Sequence, residues 1–244
     1  MEEIKETKSA NGVKMSFPEK AIQKMTEWYA KVLWKKKFKK SPVQENDYQI
    51  AQVIQEVYLS PEERKDKVWD WILDRDTNFL VQAAYKHSIE NRVLICYRWT
   101  DFKDVQDLLS DVQIVLGVNS IDGRVKQSLE FFDQMQMKYP WAEKRVCGHS
   151  LWWTISYIIT QHRNPKRCVV LNPWSAPTKS FLCMMQDTLF KKEWTKCITT
   201  YKVRWDIIST LSFVWNVKSF VVKSVNPLKL HTCDNFPELL QNEK

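Results

Sequence analysis

Val146-Cys147-Gly148-His149-Ser150-Leu151-Trp152-Trp153 places a serine where two periodicities meet. A short apolar run, Lys144 to Cys147, leads into Gly148-His149-Ser150, and a helical pattern follows from Leu151 to His162. Strand, sharp turn bearing a serine, then helix is the context of a nucleophile elbow. The strained turn lifts the serine Oγ clear of the sheet and aims the next backbone N–H at a reacting carbonyl. The usual form is Gly-x-Ser-x-Gly, and Trp152 stands at the second glycine here.

On both sides of the elbow, strand and helix signals alternate. Upstream, Arg124–Tyr139 reads as an amphipathic helix with Val125, Leu129, Phe132 and Met135 on one face, closed by Pro140. Before it come a helical segment through Val105, Leu108, Leu109 and Val112 and two strands, Leu80–Tyr85 and Arg92–Tyr97. The polar link His87–Asn91 makes these strands an antiparallel pair. Asp47 to Leu59 reads as a helix, and Ser60-Pro61-Glu62-Glu63 as a capped turn. Downstream, strands are expected at Arg167–Leu171, Ile198–Val203 and Phe220–Val225. The alternation predicts an α/β fold, a mostly parallel sheet with helices on both faces, an antiparallel start and N-terminal helices.

The chain of 244 residues is long enough for a substantial core and is read as one domain after a polar tail over 1–17. Six scattered cysteines (96, 147, 168, 183, 197, 233) show no CxxC pair, so neither a zinc site nor a disulfide framework is expected. The polar start has no signal-peptide character and no apolar run reaches membrane-span length, which predicts a cytoplasmic protein. Of the net charge of +8, residues 1–40 hold +6, leaving a nearly neutral body that argues against nucleic-acid binding. Pro18 to Phe38 has a helical period and ends in Lys35, Lys36, Lys37, Lys39 and Lys40. Those cations suit a helix C-terminus, and peripheral contact with an anionic membrane is the sharper reading of them.

Ligands of such a sheet gather at the carboxyl ends of its strands. That edge reads Arg98-Trp99-Thr100, Ser150, Asn172-Pro173, Asp206 and His231. Serine, aspartate, histidine is the triad order of α/β hydrolases. Each residue also has a plain alternative: Ser150 a helix N-cap, Asp206 a turn cap, His231 a surface loop residue. Asp234 and Asp187 are rivals of Asp206 for the acid. Asp104, Asp107 and Asp111 share one helix face, which fits a solvated surface better than a cation site.

In ordered combination these motifs resemble the class 3 (fungal-type) lipase family. Arg98-Trp99-Thr100, with Asp104 and Asp111 downstream, is similar to the family's Arg-Gly-Thr segment. Tyr139-Pro140 and Gly148-His149-Ser150-Leu151-Trp152-Trp153 resemble Tyr-Pro…Gly-His-Ser-Leu-Gly-Gly. Asn172-Pro173-Trp174 resembles Asn-Pro-Gly, Trp205-Asp206-Ile207-Ile208-Ser209 resembles Gly-Asp-x-Ile-Ser, and His231 with Asn235-Phe236 resembles the closing His…Asn-Phe. The resemblance spans about residues 65–240. It implies an α/β-hydrolase-like domain over 18–244, with 18–60 as its helical extension. It implies Ser150 as nucleophile, His231 as base and then acid, Asp206 as its orienter, and Thr100 with the Leu151 N–H as oxyanion hole. The implied reaction is hydrolysis of a lipid or small carboxylic ester without a cofactor. His149 is taken as structural. A thioesterase or peptidase on the same fold would share the triad, and a binding protein with a damaged site is the other alternative.

Departures from the family pattern are of one kind. Trp99, Trp152, Trp153, Trp174 and Trp205 stand at family glycines. The chain has 4 Gly and 12 Trp, whereas average usage of about 7% would give roughly 17 glycines. An indole behind the nucleophile should overpack the helix–strand contact. One cause accounts for all five: a gene in which UGA means glycine, translated with a table that reads it as tryptophan.

Overall fold

The computed structural model describes residues 47–98, 119–150, 152–173, 193–204, 206, 217–222, 224 and 226–242. All of them fall in one compact unit, 40–244. Strands β1 (Lys67–Val68), β2 (Trp71–Leu73), β3 (Gln82–His87), β4 (Arg92–Tyr97), β5 (Glu143–His149), β6 (Arg167–Leu171), β7 (Ile198–Val203) and β8 (Val217–Phe220) form one sheet in sequence order. Pairing is antiparallel from β1 to β4 and parallel from β4 to β8. The expected α/β class, antiparallel start and mostly parallel body are therefore present.

Alternation along the strands builds two cores, because successive side chains point to opposite faces. Ala83, Tyr85, Leu94, Cys96, Cys147, Val169, Leu171, Tyr201 and Val203 face one side. Helix α1 (Asp47–Val57) covers them with Ile50, Val53, Ile54 and Val57, and the later helix α5 (Phe236–Gln241) adds Phe236 and Leu240. On the other side Ala84, Val93, Ile95, Tyr97 and Val146 meet Phe131, Phe132 and Met135 of α2 (Asn119–Lys138) and Ile155 and Ile159 of α3 (Trp152–Arg163). A satellite cluster of Tyr157, Cys168, Val170 and Ile198 continues that face. Helices thus cover both faces, as the sequence predicts. No helix among the described residues is long and apolar enough to cross a membrane.

Three expectations shift. The strand expected at Leu80–Tyr85 begins at Gln82, because Phe79 and Gln82 pair across a tight turn and leave Phe79 and Leu80 half exposed. The last strand is Val217–Phe220 rather than Phe220–Val225, since its register against β7 ends at Val203↔Phe220. The helix expected to start at Arg124 begins at Asn119. The expected helices over 18–38 and 105–112 lie outside the described residues.

Two buried charged side chains, Asp47 and Arg98, anchor α1. At its first turn Asp47, fully buried, pairs with Arg167 Nη2 at 2.6 Å and accepts a hydrogen bond from the Tyr201 hydroxyl. At its other end Arg98 Nη1 donates to the carbonyls of Val57 (3.2 Å), Tyr58 (2.5 Å) and Leu59 (2.6 Å), which the helix itself leaves unpaired. Ser60 then closes the following turn, its Oγ and its backbone N–H both donating to Glu63 Oε2, at 2.8 Å and 3.2 Å.

One tryptophan backbone is abnormal. Val68 and Trp71 pair across a two-residue turn in which Trp69 has φ 55° while Asp70 does not have positive φ. Positive φ at the first turn position alone is the type II′ pattern, where glycine is the favoured residue. Trp69 thus joins the tryptophans at glycine-suited positions, on backbone grounds rather than motif grounds. Trp99, Trp174 and Trp205 lie outside the described residues.

Candidate active site

The carboxyl edge of the parallel strands carries the site. Strand β5 ends at His149 and α3 begins at Trp152, so Ser150 occupies the turn between them. Its φ is 59°, a left-handed conformation that costs a residue with a Cβ about 1–3 kcal/mol. Its backbone N–H donates to Leu171 O at 3.1 Å, which ties the turn to the end of β6. The turn is sharp, non-glycine and held from the neighbouring strand, as the elbow reading requires.

His231 stands at the end of the short helix α4 (Pro227–His231), not in a loop as expected from sequence. Its Nε2 is 2.8 Å from Ser150 Oγ and its Nδ1 is 2.7 Å from Asp206 Oδ2. An ionised carboxylate only accepts, so Nδ1 carries the proton and Nε2 is left to accept from the serine hydroxyl. Asp206, fully buried, lies just past β7, and all three side chains are withdrawn from solvent. Distances of 2.6–3.2 Å through nucleophile, base and orienter meet the geometric requirement for nucleophilic catalysis.

Asp234, the rival acid, is engaged elsewhere: Oδ1 accepts from Gln55 Nε2 at 3.0 Å and Oδ2 from Thr232 Oγ1 at 2.9 Å. Thr100 and Leu151, the expected oxyanion-hole residues, lie outside the described residues, as do Asp187, Asp104, Asp107, Asp111 and the lysines from Lys35 to Lys40.

A second layer holds the histidine. Asn172 follows β6 with φ 38°, a conformation that asparagine tolerates better than most residues. Its Oδ1 accepts from the Val203 N–H (2.8 Å), and its Nδ2 donates to the carbonyls of Leu230 (2.9 Å) and His231 (3.0 Å). His149 Nε2 lies 2.7 Å from the same His231 carbonyl, and His149 Nδ1 lies 2.9 Å from the Tyr58 hydroxyl. A carbonyl can only accept, so His149 is protonated at Nε2 and takes the Tyr58 proton at Nδ1. Burial, joined by the charge of His231, lowers its imidazolium to about 3 against the raising influence of the His231 carbonyl and Asp206. His149 is therefore neutral near pH 7.

Sequence reading placed Asn172 on this edge and His149 in the motif without giving either a partner. It missed Tyr58 altogether. Nothing local marks Tyr58, whose partner is 91 positions away. No protein-family model matches the chain, and no curated protein matches it.

Proposed function

We propose that this chain is a serine hydrolase of α/β-hydrolase-like architecture that cleaves carboxylic esters through an acyl-enzyme. The observation that carries the reading is the continuous hydrogen-bonded series Ser150 Oγ, His231, Asp206, with the serine on a left-handed turn between strand and helix. Ser150 Oγ attacks the ester carbonyl while His231 Nε2 takes its proton. His231 returns that proton to the leaving alkoxide, and Asp206 stabilises the imidazolium in between. Water then repeats the sequence on the acyl-serine, releasing the acid and restoring Ser150. The lipase resemblance of the motifs favours a lipid ester as substrate, with Thr100 and the Leu151 N–H as the oxyanion donors.

Cys96 and Cys147, in direct register on β4 and β5, face each other as thiols with sulfurs 2.9 Å apart. That pairing accords with a reducing, cytoplasmic setting. Peripheral contact of Lys35, Lys36, Lys37, Lys39 and Lys40 with anionic lipid would be an accessory property at most.

A second reading follows from Trp152, one residue past the oxyanion position, where the family has glycine. On that reading the chain as written is a hydrolase-fold binding protein with an impaired site. Turnover of a short p-nitrophenyl ester separates the two. The hydrolase reading expects Ser150→Ala to lower kcat by roughly 10⁴-fold or more. Equal rates for the two proteins would reject it.

A further inference from the structure

The carbonyl of His231 is held as firmly as its ring. It ends α4, a helix of five residues, where the last carbonyls have no partner within the helix. Two side chains from two different strand ends supply donors: His149 Nε2 from β5 at 2.7 Å and Asn172 Nδ2 from β6 at 3.0 Å. His149 and Ser150 are adjacent in sequence. One dipeptide therefore grips both ends of the base, Ser150 at the ring nitrogen and His149 at the backbone oxygen.

We infer that His149 and Tyr58 are positioning residues that fix the catalytic register of His231 between Ser150 and Asp206. A dipeptide that binds the base at two points sets the distance from nucleophile to imidazole through its own backbone. The base therefore cannot drift along α4 without breaking the His149 contact. Tyr58 makes the arrangement directional. Its hydroxyl proton occupies His149 Nδ1, which leaves Nε2–H as the tautomer facing the carbonyl. Tyr58 is in turn placed by Arg98, whose Nη1 takes the Tyr58 carbonyl at 2.5 Å and whose guanidinium lies 5.7 Å from the centre of the Tyr58 ring. The connection thus runs from the end of α1, through a buried imidazole, to the backbone of the base.

The neutrality of His149 matters as well. The rings of His149 and His231 are 5.1 Å apart between centroids. A second imidazolium at that distance would oppose the charge that His231 must gain during proton transfer.

The inference rests on the hydrolase reading, so its test has one readout that needs turnover and one that does not. In the full chain, His149→Leu removes the donor, whereas His149→Gln keeps an amide N–H for the carbonyl and an oxygen for Tyr58. With a short p-nitrophenyl ester, His149→Leu is expected to lower kcat about 10²-fold at little change in KM. His149→Gln is expected to recover to within about tenfold of the parent. Independently, the low-field proton resonance of His231 Nδ1–H should persist in the parent and in His149→Gln and be lost or broadened in His149→Leu. Should His149→Leu fail to fold, Tyr58→Phe replaces it, with an expected loss of about tenfold in kcat and a broadened resonance. Equal losses for the Leu and Gln variants, or an unchanged resonance in His149→Leu or Tyr58→Phe, would overturn the inference. Parent-like turnover by Ser150→Ala would instead reject the hydrolase reading and leave the resonance comparison to decide the positioning.

Discussion

Asp47 and Arg167, separated by 120 positions, form a buried ion pair at 2.6 Å that fastens the start of α1 to the first residue of β6. The carboxylate also holds the Tyr201 hydroxyl, so one buried acid joins three elements. Removing it leaves the buried Arg167 guanidinium without its carboxylate. Asp47→Ala is expected to destabilise the protein by roughly 3–5 kcal/mol. Urea unfolding checks this, and a loss below about 1 kcal/mol would show that the pair is not effectively desolvated.

The neutral state of His149 makes stability depend on pH. Its folded-state value, about 3, lies below the ordinary 6.5, so between these limits the unfolded chain binds a proton that the folded chain does not. Stability must then rise with pH through that window, by up to about 1.4 kcal/mol per unit from this group alone. His149→Gln removes the titration. Unfolding curves of parent and variant at about pH 7 and about pH 5 should converge as the pH falls, because only the parent loses this contribution. Parallel behaviour would show that His149 is not held neutral.

Trp69 offers a direct measure of backbone strain at a glycine-suited turn. Its indole also stacks edge-on against Tyr48 at 5.4 Å, so Trp69→Gly alone mixes relief of strain with loss of a contact. Comparing Trp69→Gly with Trp69→Ala isolates the backbone, since both lose the ring. Glycine is expected to be the more stable of the two by about 1 kcal/mol, the reverse of the usual order. Alanine equal to or above glycine would contradict a strained φ.

Miscoded glycine predicts a chemical identity. Peptides from the protein made in its native host should carry glycine at 69, 99, 152, 153, 174 and 205, each lighter by the tryptophan–glycine mass difference. Tryptophan at these positions, or UGG codons in the gene, would contradict that origin.

Strands β4, β6 and β7 were legible to the residue because each is a run of apolar or β-branched residues stopped by a polar or turn-forming one. The site was legible as an order, since serine, aspartate and histidine each follow a distinct element on one edge. Strands β1 and β2, of two and three residues, are too short to display a period. The last strand was displaced because Val221 and Val222 continue an apolar pattern past the pairing, Val221 being 62% exposed and Val222 packed on the core. The link from Tyr58 through His149 to His231 was not legible at all. It depends on the Tyr58 and His149 side chains and the His231 backbone carbonyl meeting across 91 and 82 positions, which only the folded sheet brings together.

Ser150 is proposed above as a nucleophile activated by His231. The most direct measurement is treatment of the full chain with an alkyl fluorophosphonate, followed by peptide mass analysis. One adduct per chain is expected, on Ser150, formed much more slowly in His231→Ala. Labelling at another residue, or no adduct on Ser150 under conditions that label a known serine hydrolase, would contradict it.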